Sequence, residues 1–480
     1  MSNDGGLRVR RDVQSLLAEG DTGRKVLDDY ARAITAMRER DSGTGPPSDP
    51  LSWRFQAAIH GLEGVPRSVN HPKFWSSCRH NSWFFLPWHR LYLLEFERIV
   101  QLHLGDDTWS LPYWDYTKPD DESARLLPEP FRVPQEGNAL WTAQREPNVN
   151  DPERPAPVPW EYADATGALK ARAFTRDGDD PATTFAGGVV QDVIPVHRAR
   201  GSLEGIPHGM VHGVVGGQDP PGLMSDFATA GLDPIFWLHH ANIDRLWDVW
   251  IRTWGAGAMP STDNWRSAKF RLFGPDGEID ERATGDLLVS ENLGYEYEST
   301  EPRRPAGPRV RGRPDTEEER APVPPKLVGA ATEIPFSGRA DVDIELTPPR
   351  GMRTLTRAAS RETPDRWYLR VEDIVGARPT VPAYDVYVNV PEGERASDHP
   401  ELRAGGVASF GIREASQPDS EHGGQGLTDV FDITDLVAEL FDGKGWDPSA
   451  LKVTVVPASV AGEVEEGGDV RAGRISVYAG

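Results

Sequence analysis

A single cysteine, Cys78, stands among 480 residues. No intrachain disulfide can form, so stability has to come from packing. Long apolar runs are missing too: nothing approaches the roughly 18 residues that would span a bilayer, and MSNDGGLRVRRDV at the start lacks the apolar centre of a secretion signal. A soluble, cytoplasmic protein is the expectation. Basic residues are outnumbered, 52 Lys and Arg against 75 Asp and Glu for a formal net charge of −23. That balance argues against nucleic-acid or anionic-membrane partners and favours neutral or weakly charged small molecules. There is no repeat of solenoid or propeller length, and no H-E-x-x-H to support a metalloprotease. The stretch from Thr117 to about Asp192 lacks hydrophobic periodicity and is rich in Pro, Asp and Gly, which predicts long surface loops over a helical core.

What is present is histidine in a pattern. DPIFWLHHANIDRLW, Asp233 to Trp247, has an N-cap Asp, Pro at the first helical position and apolar residues over most of its circumference, yet carries His239 and His240. One buried histidine is ordinarily a hydrogen-bonded core residue. Upstream, GIPHGMVH places His208 and His212 four residues apart, one above the other on a helix opened by Pro207 and closed at Gly216 and Gly217. A second trio mirrors the first: His60 ends the helix predicted in DPLSWRFQAAIHG, His80 lies in the following loop, and His89 sits on a helix that Pro87 can begin. Six imidazoles without clustered thiolates or an evident acidic ligand favour copper over hydrolytic zinc or iron. Two sites of three histidines, each with open positions, suit a pair of copper ions that bind dioxygen between them. His71, His103, His197, His399 and His422 fall outside both patterns.

Length suggests two or more domains. EPRRPAGPRVRGRPDTEEERAPVPP, from Glu301 to Pro325, has no hydrophobic period and is expected to be an exposed linker. Beyond it, residues 384–390, 406–412, 451–457 and 474–480 alternate like strands, with one short helix in DITDLVAELF. The expected organisation is a mainly α catalytic domain at 1–300, its four-helix bundle holding two metals, then a linker at 301–335 and an all-β, sandwich-like domain at 336–480.

HNSWFFLPWHR and DPIFWLHHANIDRLW resemble the copper A and copper B signatures of the tyrosinase, catechol oxidase and haemocyanin family. The resemblance to plant polyphenol oxidases extends to RVRR at Arg8 to Arg11, to the Tyr295-Glu-Tyr297 motif and to the β domain with YDVYVNV. It implies that His60, His80 and His89 bind one copper, that His208, His212 and His240 bind the other, and that His239 is no ligand. It implies further that Phe227 is a gate overhanging the second copper, that Glu204 holds a water near the site, and that Cys78 is joined to His80 by a thioether, as in the C-x-H of fungal tyrosinases. Asp244 has no place in this site. Gly209 stands where the family often has an Asn that helps to deprotonate monophenols. The activity implied is dioxygen-dependent oxidation of o-diphenols or o-aminophenols, with ortho-hydroxylation of monophenols weaker. An oxygen carrier using the same ligands is the alternative, a zinc hydrolase a weaker one. The C-terminal domain is expected to cover the site through an inserted side chain that the sequence does not name.

Overall fold

A computed structural model describes residues 6–65, 74–176, 180, 182–189, 199–218, 220–301, 325–347, 366–378, 380–418, 424–442, 446–459, 462–463 and 469–480. Four segments frame the interior of the first domain: the helices Trp53–His60, Phe85–Leu104 and Pro234–Trp254, and a wide turn at Glu204–Gly209 that runs into the helix Met210–Gly216. Their ends follow local chemistry. The Ser52 hydroxyl accepts from Phe55 N at the first helix, and Asp233 accepts from Ile235 N ahead of Pro234 at the last. The Phe85–Leu104 helix starts two residues before the expected Pro87, because a proline in the first turn forfeits only an N–H that has no helical partner. The two long helices meet through Phe96 and Trp237, whose rings stack at 3.4 Å and 10°.

The ends of this domain are tied across its core. Arg8–Arg10 pairs in parallel with Tyr295–Tyr297, and the fully buried Arg10 and Arg90 both reach Asp244, at 3.4 and 2.6 Å. Tyr295 and Tyr297 donate their hydroxyls to the same carboxylate at 2.7 and 2.6 Å. Burial alone would raise the Asp244 carboxyl, but the two guanidinium groups and two hydroxyls outweigh it and hold it below the usual carboxylate range. Asp244 reaches no site imidazole here; it joins the copper-signature helices to the RVRR and Tyr-Glu-Tyr segments.

The region expected as surface loops is more embedded than that. Phe131, Tyr162, Phe174 and Phe185 are buried, and Phe185 stacks on Trp250 at 4.9 Å. Their spacing follows neither 2 nor 3.6 residues, so periodicity does not reveal them; single aromatics anchor an irregular chain to the bundle.

In the second domain two antiparallel sheets pack face to face over an aliphatic core. One has the strand order Leu427–Asp432, Trp367–Gly376, Val470–Ala479, Lys326–Pro335. The other runs Gly462–Glu463, Ala450–Ser459, Ala383–Val388, Arg403–Val407, with Ala340–Glu345 also paired to Ala450–Ser459. The expected short helix is Thr434–Asp442. Two expectations shift. The sheet already begins at Lys326, inside the stretch taken as linker, since this edge strand exposes most of its side chains and carries little hydrophobic pattern. The strand expected at 406–412 ends at Val407, and Ser409 to Gly411 turn away, with Gly411 at φ 78°. Linker residues 302–324 lie outside the described residues.

Candidate metal centre

His60 is the last residue of its helix, His80 lies in the loop that follows, and His89 is in the second turn of Phe85–Leu104. Their ring centroids are 5.4, 6.0 and 5.1 Å apart pairwise. On the facing side, His208, His212 and His240 are separated by 4.7, 5.0 and 5.4 Å. The trios touch: His80 is 5.4 Å from His208, and His89 lies parallel to His240 at 4.6 Å and 7°. All six are buried. His208 belongs to the wide turn rather than to the helix proper, the backbone breaking at Ile206 (φ −127°, ψ 122°). It still meets His212 as the spacing predicts.

Four of the six rings are oriented by main-chain carbonyls. Nδ1–H donates to Phe227 O from His60 (3.2 Å), to Phe85 O from His89 (2.7 Å), to Glu204 O from His208 (3.1 Å) and to Met224 O from His212 (2.8 Å). This fixes the tautomer and leaves the Nε2 lone pairs aimed inward. His208 Nε2 has no hydrogen-bond partner among the described residues. His212 Nε2 and His240 Nε2 face each other at 3.3 Å, an arrangement that calls for a proton or a cation between them. Burial, and then the neighbouring imidazoles, hold His208, His239 and His240 well below the usual histidine range, and burial takes His212 down to about 3. At neutral pH all four are uncharged, the state in which an imidazole can ligate a metal. The two groups of ligand atoms among the described residues are His60, Cys78, His80, His89 and His208, His212, His239, His240, with no carboxylate in either. A neutral, nitrogen-dominated, buried donor set fits copper.

His239 falls in the second group, with its Nδ1 2.9 Å from the Tyr116 hydroxyl and its Nε2 without a hydrogen-bond partner among the described residues. Tyr116, which the sequence reading did not single out, engages His239 across 123 residues of chain. Cys78 Sγ is 3.2 Å from His80 Nδ1. Glu204 accepts from Asn81 N through both oxygens, at 2.7 and 2.9 Å, which places a buried carboxylate beside His80. Phe227, expected over the second copper, lies 4.6 Å from His60 and 5.3 Å from His80, against the first trio. Its carbonyl is also the acceptor for His60. Over the second trio lies Phe410 of the β domain, stacked on His212 at 3.9 Å and 12° and 5.8 Å from His208. Ala408, just before it, would lie 2.7 Å from any Cβ added at Gly209. The turn Ser409-Phe410-Gly411 carries the inserted side chain that the sequence left unnamed. Of the histidines outside both trios, His103 bonds Leu51 O at 3.1 Å and His399 bonds Glu394 and Glu401; His71, His197 and His422 lie outside the described residues. No helix among the described residues is long and apolar enough to cross a membrane.

Comparisons with known proteins agree with this geometry. A family model described as the common central domain of tyrosinase matches residues 50–253, and one described as a domain of unknown function matches 325–480. Tyrosinase HcTyr1 of Hahella sp. (strain CCB-MM4) is 31% identical over 98% of this chain and 99% of its own length. A chloroplastic polyphenol oxidase of Malus domestica is 28% identical, over 90% of this chain and 72% of its own. Among solved structures, latent aurone synthase, a polyphenol oxidase, superposes with a TM-score of 0.66 at 23% identity, covering 100% of this chain and 90% of that one. Latent apple tyrosinase gives a TM-score of 0.64 at 23% identity, covering 100% and 98%. These two likenesses show a shared fold through both domains. With two facing histidine clusters and an end-to-end relative, the chain belongs to the tyrosinase family, copper oxidoreductases that oxidise phenols to quinones at a pair of copper ions with dioxygen as co-substrate.

Proposed function

We propose that His60, His80 and His89 hold the first copper and His208, His212 and His240 the second, and that the enzyme oxidises o-diphenols, or the related o-aminophenols, to quinones or quinone imines. The observation that carries this reading is the pair of facing histidine trios, four of their six rings fixed by carbonyls and the second trio closed over by one aromatic side chain. Two coppers with dioxygen supply the oxidising chemistry when bound. The chain's own residues orient, shield and move protons. Carbonyl-anchored imidazoles keep their Nε2 atoms in place, the aromatic walls of Phe85, Phe227 and Phe236 exclude water, and the Glu204 carboxylate is placed to hold the water that takes up a phenolic proton. Gly209 adds no acceptor to that water, so diphenol oxidation dominates and monophenol hydroxylation is slow.

In the same reading, residues up to about 300 form the catalytic domain and those from Lys326 onward a lid. Phe410 occupies the face of His212 on which a substrate ring has to lie, so the uncut chain is latent. The test is metal analysis with oxygen uptake on a panel of phenols. Two coppers per chain and rapid catechol consumption are expected after the lid is displaced; one copper, or stoichiometric zinc after copper-replete expression, would overturn the dinuclear assignment. The oxygen-carrier alternative has no support, since the relatives compared are named as enzymes.

A further inference from the structure

Arg200 is buried at 5% exposure, and its described side-chain hydrogen bonds all run to the lid. Nε donates to Asp429 Oδ1 at 2.9 Å, Nη2 donates to Asp429 Oδ2, and Nη2 donates also to Ala408 O at 2.7 Å. A bidentate fork on a carboxylate is the geometry for which a guanidinium is shaped. Arg200 also lines the small cavity above the metal centre, together with Glu204, His208, Gly209 and Phe410. Through Phe410 and Asp429, from different segments, the lid thus brings an aromatic ring onto His212 and a carboxylate onto Arg200.

Both groups leave when the lid leaves. Glu204 shares the cavity, but its two oxygens are turned to Asn81 N. The described ion partner of Arg200 is Asp429, so opening the lid leaves the guanidinium at the cavity without that counter-charge and free to take another carboxylate. We propose that Arg200 is a specificity-determining residue that anchors the carboxylate of the substrate, so that the preferred substrates of the opened site are o-diphenols bearing a carboxylate, and that the lid closes the site as a two-point mimic of such an aromatic acid. This rests on the phenol-oxidase reading above. A net charge of −23 disfavours anions near the surface at large; the local guanidinium is what admits this class.

The experiment uses the full-length, copper-loaded protein cut in its linker and kept with both parts in solution. Oxygen uptake is measured for 3,4-dihydroxybenzoate, 3,4-dihydroxyphenylacetate and 3-(3,4-dihydroxyphenyl)propanoate, each against its neutral amide. For at least one length the acid is expected to exceed its amide by about tenfold in kcat/KM, through KM, as one charge-assisted hydrogen bond requires. Arg200→Gln should bring that ratio near unity and Arg200→Lys should restore part of it; ratios within one variant cancel any general loss. Redox-inert 3-phenylpropanoate should inhibit amide oxidation competitively in the unmutated enzyme, and more weakly in Arg200→Gln. Acids no better than amides, or a ratio that Arg200→Gln leaves unchanged, would overturn the proposal and leave Arg200 a clamp for the lid. The unmutated ratio and the inhibition decide the matter even if Arg200→Gln does not fold. Failure of the oxidase reading looks different, since the amides too would then consume no oxygen.

Discussion

His239 and His240 are adjacent and equally buried, yet their surroundings separate them. Tyr116 engages His239, whereas His240 turns its Nε2 to His212 and lies flat on His89. His240→Ala is therefore expected to lose the second copper and all catechol oxidation, while His239→Ala retains two coppers; metal analysis of the two variants decides, and the opposite pattern would reverse the assignment. Cys78 predicts a covalent change. With its sulfur 3.2 Å from the His80 ring, oxidative coupling by dioxygen at the copper-loaded site removes the thiol hydrogen and one ring hydrogen, leaving the chain two hydrogens lighter by intact mass. Quantitative labelling of Cys78 by a thiol reagent in the folded, loaded protein would mean that it only packs. Gly209 serves two ends, because a side chain there meets Ala408 at 2.7 Å while the lid is closed. Gly209→Asn should thus raise catechol turnover of the uncut chain about tenfold, an overpacking cost of about 1–3 kcal/mol being enough to shift closure that far. After cutting it should also raise the ratio of monophenol to diphenol turnover. An uncut variant as quiet as the parent would show that the lid tolerates the side chain.

The elements that carry the site were legible because their ends obey local rules. Asp233-Pro234 opens the copper-signature helix, Gly105 at φ 65° ends Phe85–Leu104, and four-residue spacing brings His208 onto His212. What sequence hid was tertiary. The strand Trp367–Gly376 is buried on both faces over its first half and so shows no alternation, and the edge strand Lys326–Pro335 is exposed on most of its length. Phe410 became part of the site only through contact between domains, and Phe227 meets His60 through both its ring and its carbonyl. Asp244 shows how much one element can depend on one carboxylate. Asp244→Asn leaves buried Arg90 and Arg10 short of counter-charge, and a loss of about 3–5 kcal/mol is expected in denaturant unfolding. A loss below about 1 kcal/mol, the worth of an exposed pair, would mean that Glu97 and Asp248 suffice.

At the scale of the whole molecule, the two domains meet through polar contacts set around one aromatic insertion. Arg200 pairs with Asp429, Tyr162 donates to Asp385 at 2.9 Å, and Arg413 lies 3.6 Å from Asp226. Polar contacts of this kind give closure its register and let it be undone without unfolding either core. A β domain held by such contacts over the two histidine trios is what the proposed latency rests on. Oxygen uptake with catechol by the full-length, copper-loaded protein, before and after a single cut between residues 301 and 325, tests this account most directly. The account predicts two coppers in both forms and turnover that rises about tenfold or more on cutting. Equal turnover of the cut and uncut protein would contradict it.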